Sequence, residues 1–275
     1  MPISPTRPAG ITLRTAPSGA VVLRSALLEG AGVPHAFSAR IGGVSGRLFE
    51  SLNFGNPGEL PAEQRDPPAN IRENYRRLLD AAGCAGRSLV EVHQVHSADV
   101  HTVRAGGPAH AGDRDTKADA IITDDRDRAA AVRIADCAPV LLASHEGRIV
   151  AAVHAGWRGA VSGVLPAAIE AMRRLGAADI LAAIGPCIGP EAFEIGPEVA
   201  AEFRRVFGAS APIRPGAGDR SLADLKAALA LQLRAARIAD FDICDRCTVG
   251  EPALFFSHRR DRGLTGRMAA VISPA

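Results

Sequence analysis

Several of the β-prone runs in this sequence are apolar at every position, among them residues 140–143, 149–153 and Ile180–Ile184. A strand with one wet face alternates apolar and polar residues, so a run without alternation has to be covered on both sides. This predicts a sheet buried between other layers. The run at 149 extends to His154, and further strands are expected over 20–23, 36–39, 89–92, 99–103, Ala120–Thr123, 130–134 and Met268–Ile272. Helices are expected over 69–82, 158–175, Pro197–Phe207 and 222–238. Gly176 closes the second of these, and Pro166 is expected to bend it because proline has no N–H for the ladder. Pro197 suits a first turn, and Ser221 with Asp224 has the spacing of a capping box. Strands alternating with helices, without a repeat of fixed period, give an α/β fold.

At 275 residues, with 47% hydrophobic and 23% charged residues, the chain has material for one large core and is expected to form a single domain over 1–275. Residues 1–19 are expected to form a flexible N-terminal extension. The Gly- and Pro-rich stretches 55–68, 106–112 and 212–218 read as surface loops or lids. A net charge of +2 provides no global field for nucleic acid or a membrane surface, so neither is expected as a partner and small molecules are. The first ten residues lack a basic segment followed by an apolar core, and the apolar runs are far shorter than a membrane span. With an odd count of five cysteines, these features predict a cytoplasmic protein with free thiols. The sequence carries no signal for an oligomeric state.

Three constellations carry chemistry. In Glu91-Val92-His93-Gln94-Val95-His96-Ser97, alternation along a strand would send His93 and His96 to opposite faces, so at most one of them faces a given pocket. In Ile134-Ala135-Asp136-Cys137-Ala138-Pro139, the proline breaks the ladder and leaves Asp136 and Cys137 in a strand-end kink, although a free cysteine can equally be a buried packing residue. In Val153-His154-Ala155-Gly156-Trp157-Arg158-Gly159, a strand runs through a glycine turn into a helix, whose free amides and Arg158 suit an oxyanion; Trp157 can stack on a ring or pack in the core. Together they offer imidazoles and one thiolate at strand ends, a three-ligand set that matches zinc with an open fourth position.

Other zinc arrangements are absent: no second histidine follows His145-Glu146 at helical spacing, and H-x-E with P-C-x-x-C is missing. Cys244 and Cys247 form a single C-x-x-C and read as two core thiols, with a redox dithiol as the alternative. Eight histidines without an H-x-H pair argue against a multicopper oxidase. Arg40, in Phe37-Ser38-Ala39-Arg40-Ile41-Gly42-Gly43, and the segment Ser257-His258-Arg259-Arg260-Asp261 each place arginine beside serine or glycine, a setting that suits an oxyanion.

Gln94-Val95-His96, Ala135-Asp136-Cys137-Ala138-Pro139-Val140, His154-Ala155-Gly156-Trp157-Arg158-Gly159, Gly185-Pro186-Cys187-Ile188 and Ser257-His258-Arg259-Arg260-Asp261 with Thr265-Gly266-Arg267 resemble the YfiH family, also called polyphenol-oxidase or laccase-like. The resemblance runs from about Phe37 to Ile272. It implies a single-domain layered sandwich of mixed β-sheets covered by helices, and a Zn2+ ion on His96, Cys137 and His154, which favours His96 over His93. It also implies phosphate-dependent cleavage of adenosine, inosine, guanosine and methylthioadenosine, with adenosine deamination. Peptidoglycan-precursor editing and polyphenol oxidation are the alternatives. On this reading the catalytic residues are His96, Cys137, His154 and Asp136, with Asp136 moving protons, and Arg40 and Arg158 hold phosphate. Val249 departs from the family pattern, where tyrosine is common, and the segment 261–265 is about one residue longer than in many relatives.

Overall fold

The computed structural model describes residues 10–58, 60–107 and 115–275. Two mixed six-stranded sheets face each other. The first runs in the order β1 (Ile11–Thr15), β2 (Val21–Ser25), β3 (His35–Ser38), β15 (Met268–Ile272), β7 (Arg128–Ile134), β4 (Ser88–Val90). The second runs β14 (Phe241–Ile243), β10 (Ile180–Ile184), β8 (Ala138–Ser144), β9 (Val150–Ala155), β6 (Ala120–Thr123), β5 (Val100–Val103). A small third sheet pairs β11 (Glu194–Ile195) and β12 (Ile213–Pro215) on either side of β13 (Ser221–Ala223).

The continuously apolar runs are explained by what covers them. Along β9, Val150 and Ala152 enter the core between the two sheets with Phe37, Val132, Leu141 and Phe256. Ala151, Val153 and Ala155 face the other way, into a second core under α4 (Val164–Arg174), α5 (Pro197–Phe207) and α6 (Leu225–Ala235). On the far side of the first sheet, α2 (Pro68–Ala82) lays Ile71, Tyr75, Leu78 and Ala82 over Ala129, Ala131, Ala269 and Val271. The result is the layered α/β sandwich that the sequence predicts. No helix among the described residues is long and apolar enough to cross a membrane.

Several local expectations are corrected. The single helix over 158–175 is two, α3 (Trp157–Ser162) and α4, and the break falls at Gly163. Gly163 takes φ +85°, the left-handed conformation that ends a helix. Pro166 lies in the first turn of α4, where an N–H is not needed, and bends nothing. The expected capping box also dissolves: Ser221 is in β13, and Asp224 is itself the N-cap of α6, its side chain accepting from the Ala227 N–H at 2.9 Å. Pro139 does not break its strand. As the second residue of β8 it pairs with His154 on β9, and its carbonyl accepts from Gly185. Residues 11–15, expected as part of a flexible extension, form β1 in antiparallel register with β2; residues 1–9 lie outside the described residues. The 212–218 loop contains β12, and residues 108–112 of the 106–112 loop lie outside the described residues. The short α1 (Ala26–Gly30), capped by the Ser25 hydroxyl, carries no periodic signal of its own.

Candidate metal centre

The site forms where three strands end. Past β4 the chain leaves regular pairing, and the Gln94 side chain takes over as partner: its Nε2 donates to the Arg133 carbonyl and its Oε1 accepts from the Arg133 N–H, each at 2.8 Å. The segment then turns at His96, which adopts φ +62°. Between β7 and β8 the chain turns again at Asp136, with φ +83°, and delivers Cys137. Near the end of β9 stands His154, paired with Pro139 two residues past Cys137. Positive φ is uncommon for residues other than glycine, and here it turns two side chains toward one point.

The ligand atoms of His96, Cys137 and His154 lie within 4.8 Å of one another. Cys137 Sγ is 3.9 Å from His96 Nε2, and the two imidazoles meet edge to face with centroids 4.9 Å apart. Ligands held at about 2.3 Å (sulfur) and about 2.0 Å (nitrogen) around a tetrahedral ion stand about 3.5 Å apart. The Cys137–His96 pair is thus about 0.4 Å from that separation, and the widest pair would close by at most about 1.3 Å for the trio to hold a small divalent metal. Gly156 leaves the space for it, since a Cβ there would sit 2.8 Å from Cys137 Sγ and 3.2 Å from His96 Cδ2. Burial alone would push the Cys137 thiol up, but the facing His154 charge and hydrogen bonds from both histidines outweigh it and favour the thiolate that a metal requires. Burial would lower His154 in turn, and the Cys137 thiolate with the Asp119 carboxylate raises it.

Asp119 is the functional residue that sequence reasoning missed. Fully buried, it accepts from His154 Nδ1 at 2.8 Å on Oδ1. Its Oδ2 accepts from the Val95 N–H (3.1 Å), the Ser97 N–H (2.6 Å) and the Ser97 hydroxyl (3.1 Å), the groups that flank His96. One carboxylate thus fixes two of the three ligands and leaves His154 Nε2 free to face the thiolate. Burial would raise its pKa, yet these donors bring it down to about 2. Its only sequence signal is a lone acid at the mouth of an apolar strand.

Asp136 lines the pocket, with both carboxylate oxygens engaged by the C-terminal segment. Its Oδ1 accepts from the Thr248 hydroxyl at 2.6 Å, and its Oδ2 from the Ser257 hydroxyl (3.0 Å) and the Arg259 N–H (2.6 Å). With both oxygens occupied and the residue buried, it ties the C-terminal segment to the Cys137 turn.

The trio opens onto a pocket of about 770 Å³. Trp157, Ile188, Phe193 and Leu225 supply apolar lining, and Arg133, Arg158, Arg259 and Arg267 supply charge. His93 lines the same pocket, so the expectation that alternation separates it from His96 fails: the segment is no longer a strand at this point. His93 is nevertheless outside the ligand trio. Arg158 is in the pocket, exposed, with its guanidinium 4.5 Å from the Trp157 ring centroid. The helix it opens is only six residues long, which limits the dipole expected to assist it. Arg40 is elsewhere. Its Nε and Nη1 donate to the carbonyls of Glu50 and Pro252, it lies over the Phe256 ring, and it does not line the pocket. All five cysteines are free, and of the C-x-x-C pair Cys244 is buried while Cys247 is half-buried.

Comparison with known proteins shows the family and the fold. The family described as multi-copper polyphenol oxidoreductase laccase matches residues 34–275. Purine nucleoside phosphorylase YfiH of Shigella flexneri is 40% identical over 246 residues, which cover 88% of this chain and 93% of that protein. A purine nucleoside phosphorylase of Deinococcus radiodurans is 38% identical over 243 residues, 87% of this chain and 88% of its own. Among solved structures, YfiH of Bacillus licheniformis superposes with a TM-score of 0.83 at 30% identity over 96% of this chain and 99% of its own. YlmD of Geobacillus stearothermophilus superposes at 0.81 and 33% identity, over 92% and 96%. With the family matched over residues 34–275 and relatives and solved structures similar over most of its length, the chain belongs to the laccase-like YfiH family, in which similar proteins carry the name purine nucleoside phosphorylase.

Proposed function

We propose that this protein is a zinc-dependent purine nucleoside phosphorylase acting on adenosine, inosine, guanosine and methylthioadenosine. The observation that carries the reading is the junction of three features in one pocket: the His96–Cys137–His154 trio, an apolar lining with Trp157 and Phe193, and four arginines. A flat purine suits the apolar part, and phosphate suits the cations. Zn2+, when bound, supplies a Lewis acid and lowers the pKa of a coordinated water to about 7. The chain's own residues bind and orient: Asp119 sets the two imidazoles, Asp136 fixes the Cys137 turn, and Arg158 with the other arginines brings phosphate against the sugar. Positioning and charge stabilisation then account for most of the rate.

The eight histidines include no H-x-H pair of the kind multicopper oxidases use, which supports zinc over laccase chemistry. Adenosine deamination is a second reading for the same pocket, supported by His93 and His258 in its lining as proton carriers. Five free cysteines accord with a cytoplasmic setting. Incubating metal-defined protein with inosine or adenosine, with and without phosphate, separates the readings. Free base and ribose 1-phosphate formed only with phosphate support phosphorolysis, inosine formed from adenosine supports deamination, and neither product refutes both.

A further inference from the structure

The four guanidinium groups of the pocket are not equivalent. Arg158 is exposed and rests on Trp157. Arg259 Nη1 donates to the Glu194 carbonyl at 3.0 Å, and Arg267 Nη1 donates to the carbonyls of Thr265 (2.8 Å) and Gly266 (3.1 Å). Arg133 differs from all three. It interrupts the apolar strand β7, its side chain is only 21% exposed, and its one ion pair among the described residues is a loose 3.7 Å approach of Nε to Glu91. Glu91 already accepts the Tyr75 hydroxyl at 2.6 Å. The two Nη groups of Arg133 have no hydrogen-bond partner among the described residues, although the side chain lines the pocket.

The Nη donors of Arg133 open onto the pocket, where an incoming acceptor can take them, and a guanidinium fork matches two oxygens of an oxyanion. Everything around Arg133 holds that fork in place. Its backbone is clamped by the Gln94 amide, and Gly55 leaves room for it: a Cβ on Gly55 would lie 3.2 Å from Arg133 Nη1 and 3.6 Å from Arg267 Cγ. The same gap puts Arg267 beside it. Both arginines come from the first sheet and its approach to β15, whereas Trp157, Phe193 and Leu225 come from the second sheet and the elements that follow it.

The geometry points to Arg133, flanked by Arg267, as the phosphate-binding subsite of the pocket, in place of Arg40 and ahead of Arg158. This assignment rests on the phosphorolysis reading. Gln94 then links the subsite to the metal centre, because the residue that clamps Arg133 lies two positions before His96.

The test is calorimetric titration of inorganic phosphate into zinc-loaded wild type, Arg133→Gln and Arg158→Gln, with phosphate and inosine KM values measured alongside. Arg133→Gln is expected to weaken phosphate binding by about tenfold or more, the scale of a lost charge-assisted contact. The KM for inosine should change by less than about twofold, and Arg158→Gln should bind phosphate more tightly than Arg133→Gln. Should the glutamine variant fail to fold, Arg133→Lys keeps the charge without the fork and is expected to lose a smaller part of the affinity. Phosphate binding in Arg133→Gln equal to wild type, a larger loss in Arg158→Gln, or no phosphate binding by the wild type would overturn the assignment. If wild type binds phosphate through Arg133 but cleaves no nucleoside, the subsite stands and the phosphorolysis reading falls.

Discussion

Replacing Asp119 by asparagine changes one oxygen to an amino group in a fully buried position that fixes two ligands at once. In the native protein one oxygen accepts from His154 and the other from three donors around His96. Asparagine has a single acceptor oxygen, so whichever way its amide turns, either His154 or the 95–97 turn meets a donor. An unmatched buried donor costs about 1–3 kcal/mol. The two cores that flank the second sheet are untouched, so the fold should survive that loss. Metal binding should suffer more visibly, because a carboxylate behind a ligating histidine is worth about 10–100-fold in affinity. Competition for zinc against a chromogenic chelator, with thermal melts of the same samples, reads both quantities. A folded Asp119→Asn protein that holds zinc as tightly as wild type would show that the clamp does not set the ligands.

Three further outcomes follow from the geometry. Gly156→Ala should fold, since φ −78° suits any residue, but its Cβ would press within 2.8 Å of Cys137 Sγ; overpacking of this kind costs about 1–3 kcal/mol and should appear as weaker zinc retention. His96→Ala and Cys137→Ala should lose the metal and all turnover with circular dichroism unchanged, whereas His93→Ala, in the pocket but outside the trio, should keep its zinc; a metal-free His93 variant would mean the ligands are misassigned. Buried His35 accepts from the Ser25 N–H at Nε2 and donates from Nδ1 to the Val33 carbonyl, and burial pushes its pKa down to about 4. The unfolded chain takes up this proton near pH 6.5 and the folded chain does not, so stability falls as pH drops from about 6.5 to about 4, by up to ~3 kcal/mol. Denaturation midpoints across that window should slope less steeply in His35→Leu than in wild type, and equal slopes would refute the assignment.

The layers were legible because period and burial coincide: apart from Ser144 and His154, β8, β9 and β10 are apolar, and they are buried along their whole length and covered on both faces. The metal trio was legible through the family resemblance, while alternation alone pointed in a misleading direction. It assumed a strand through residues 93–96, where the backbone leaves the ladder and turns at His96. Asp119, Arg133 and Arg40 show the limit more clearly. Their roles depend on which long-range partners their side chains find, and these are 22 to 35 residues away for Asp119, 39 for the Gln94 clamp on Arg133 and 212 for the Arg40 contact with Pro252. Local pattern is silent at that separation. Arg40 sits in a Gly/Ser-rich turn that looks suited to an anion, yet backbone carbonyls and the Phe256 ring take its donors.

The most direct measurement of the central claim is product identification after incubating inosine with protein that has been stripped of metal and reloaded with one zinc per chain, in the presence and absence of phosphate. The prediction is hypoxanthine and ribose 1-phosphate in equal amounts, formed only when both zinc and phosphate are present and lost in Cys137→Ala. Equal turnover by the metal-free protein, cleavage indifferent to phosphate, or activity that appears only with copper would contradict it.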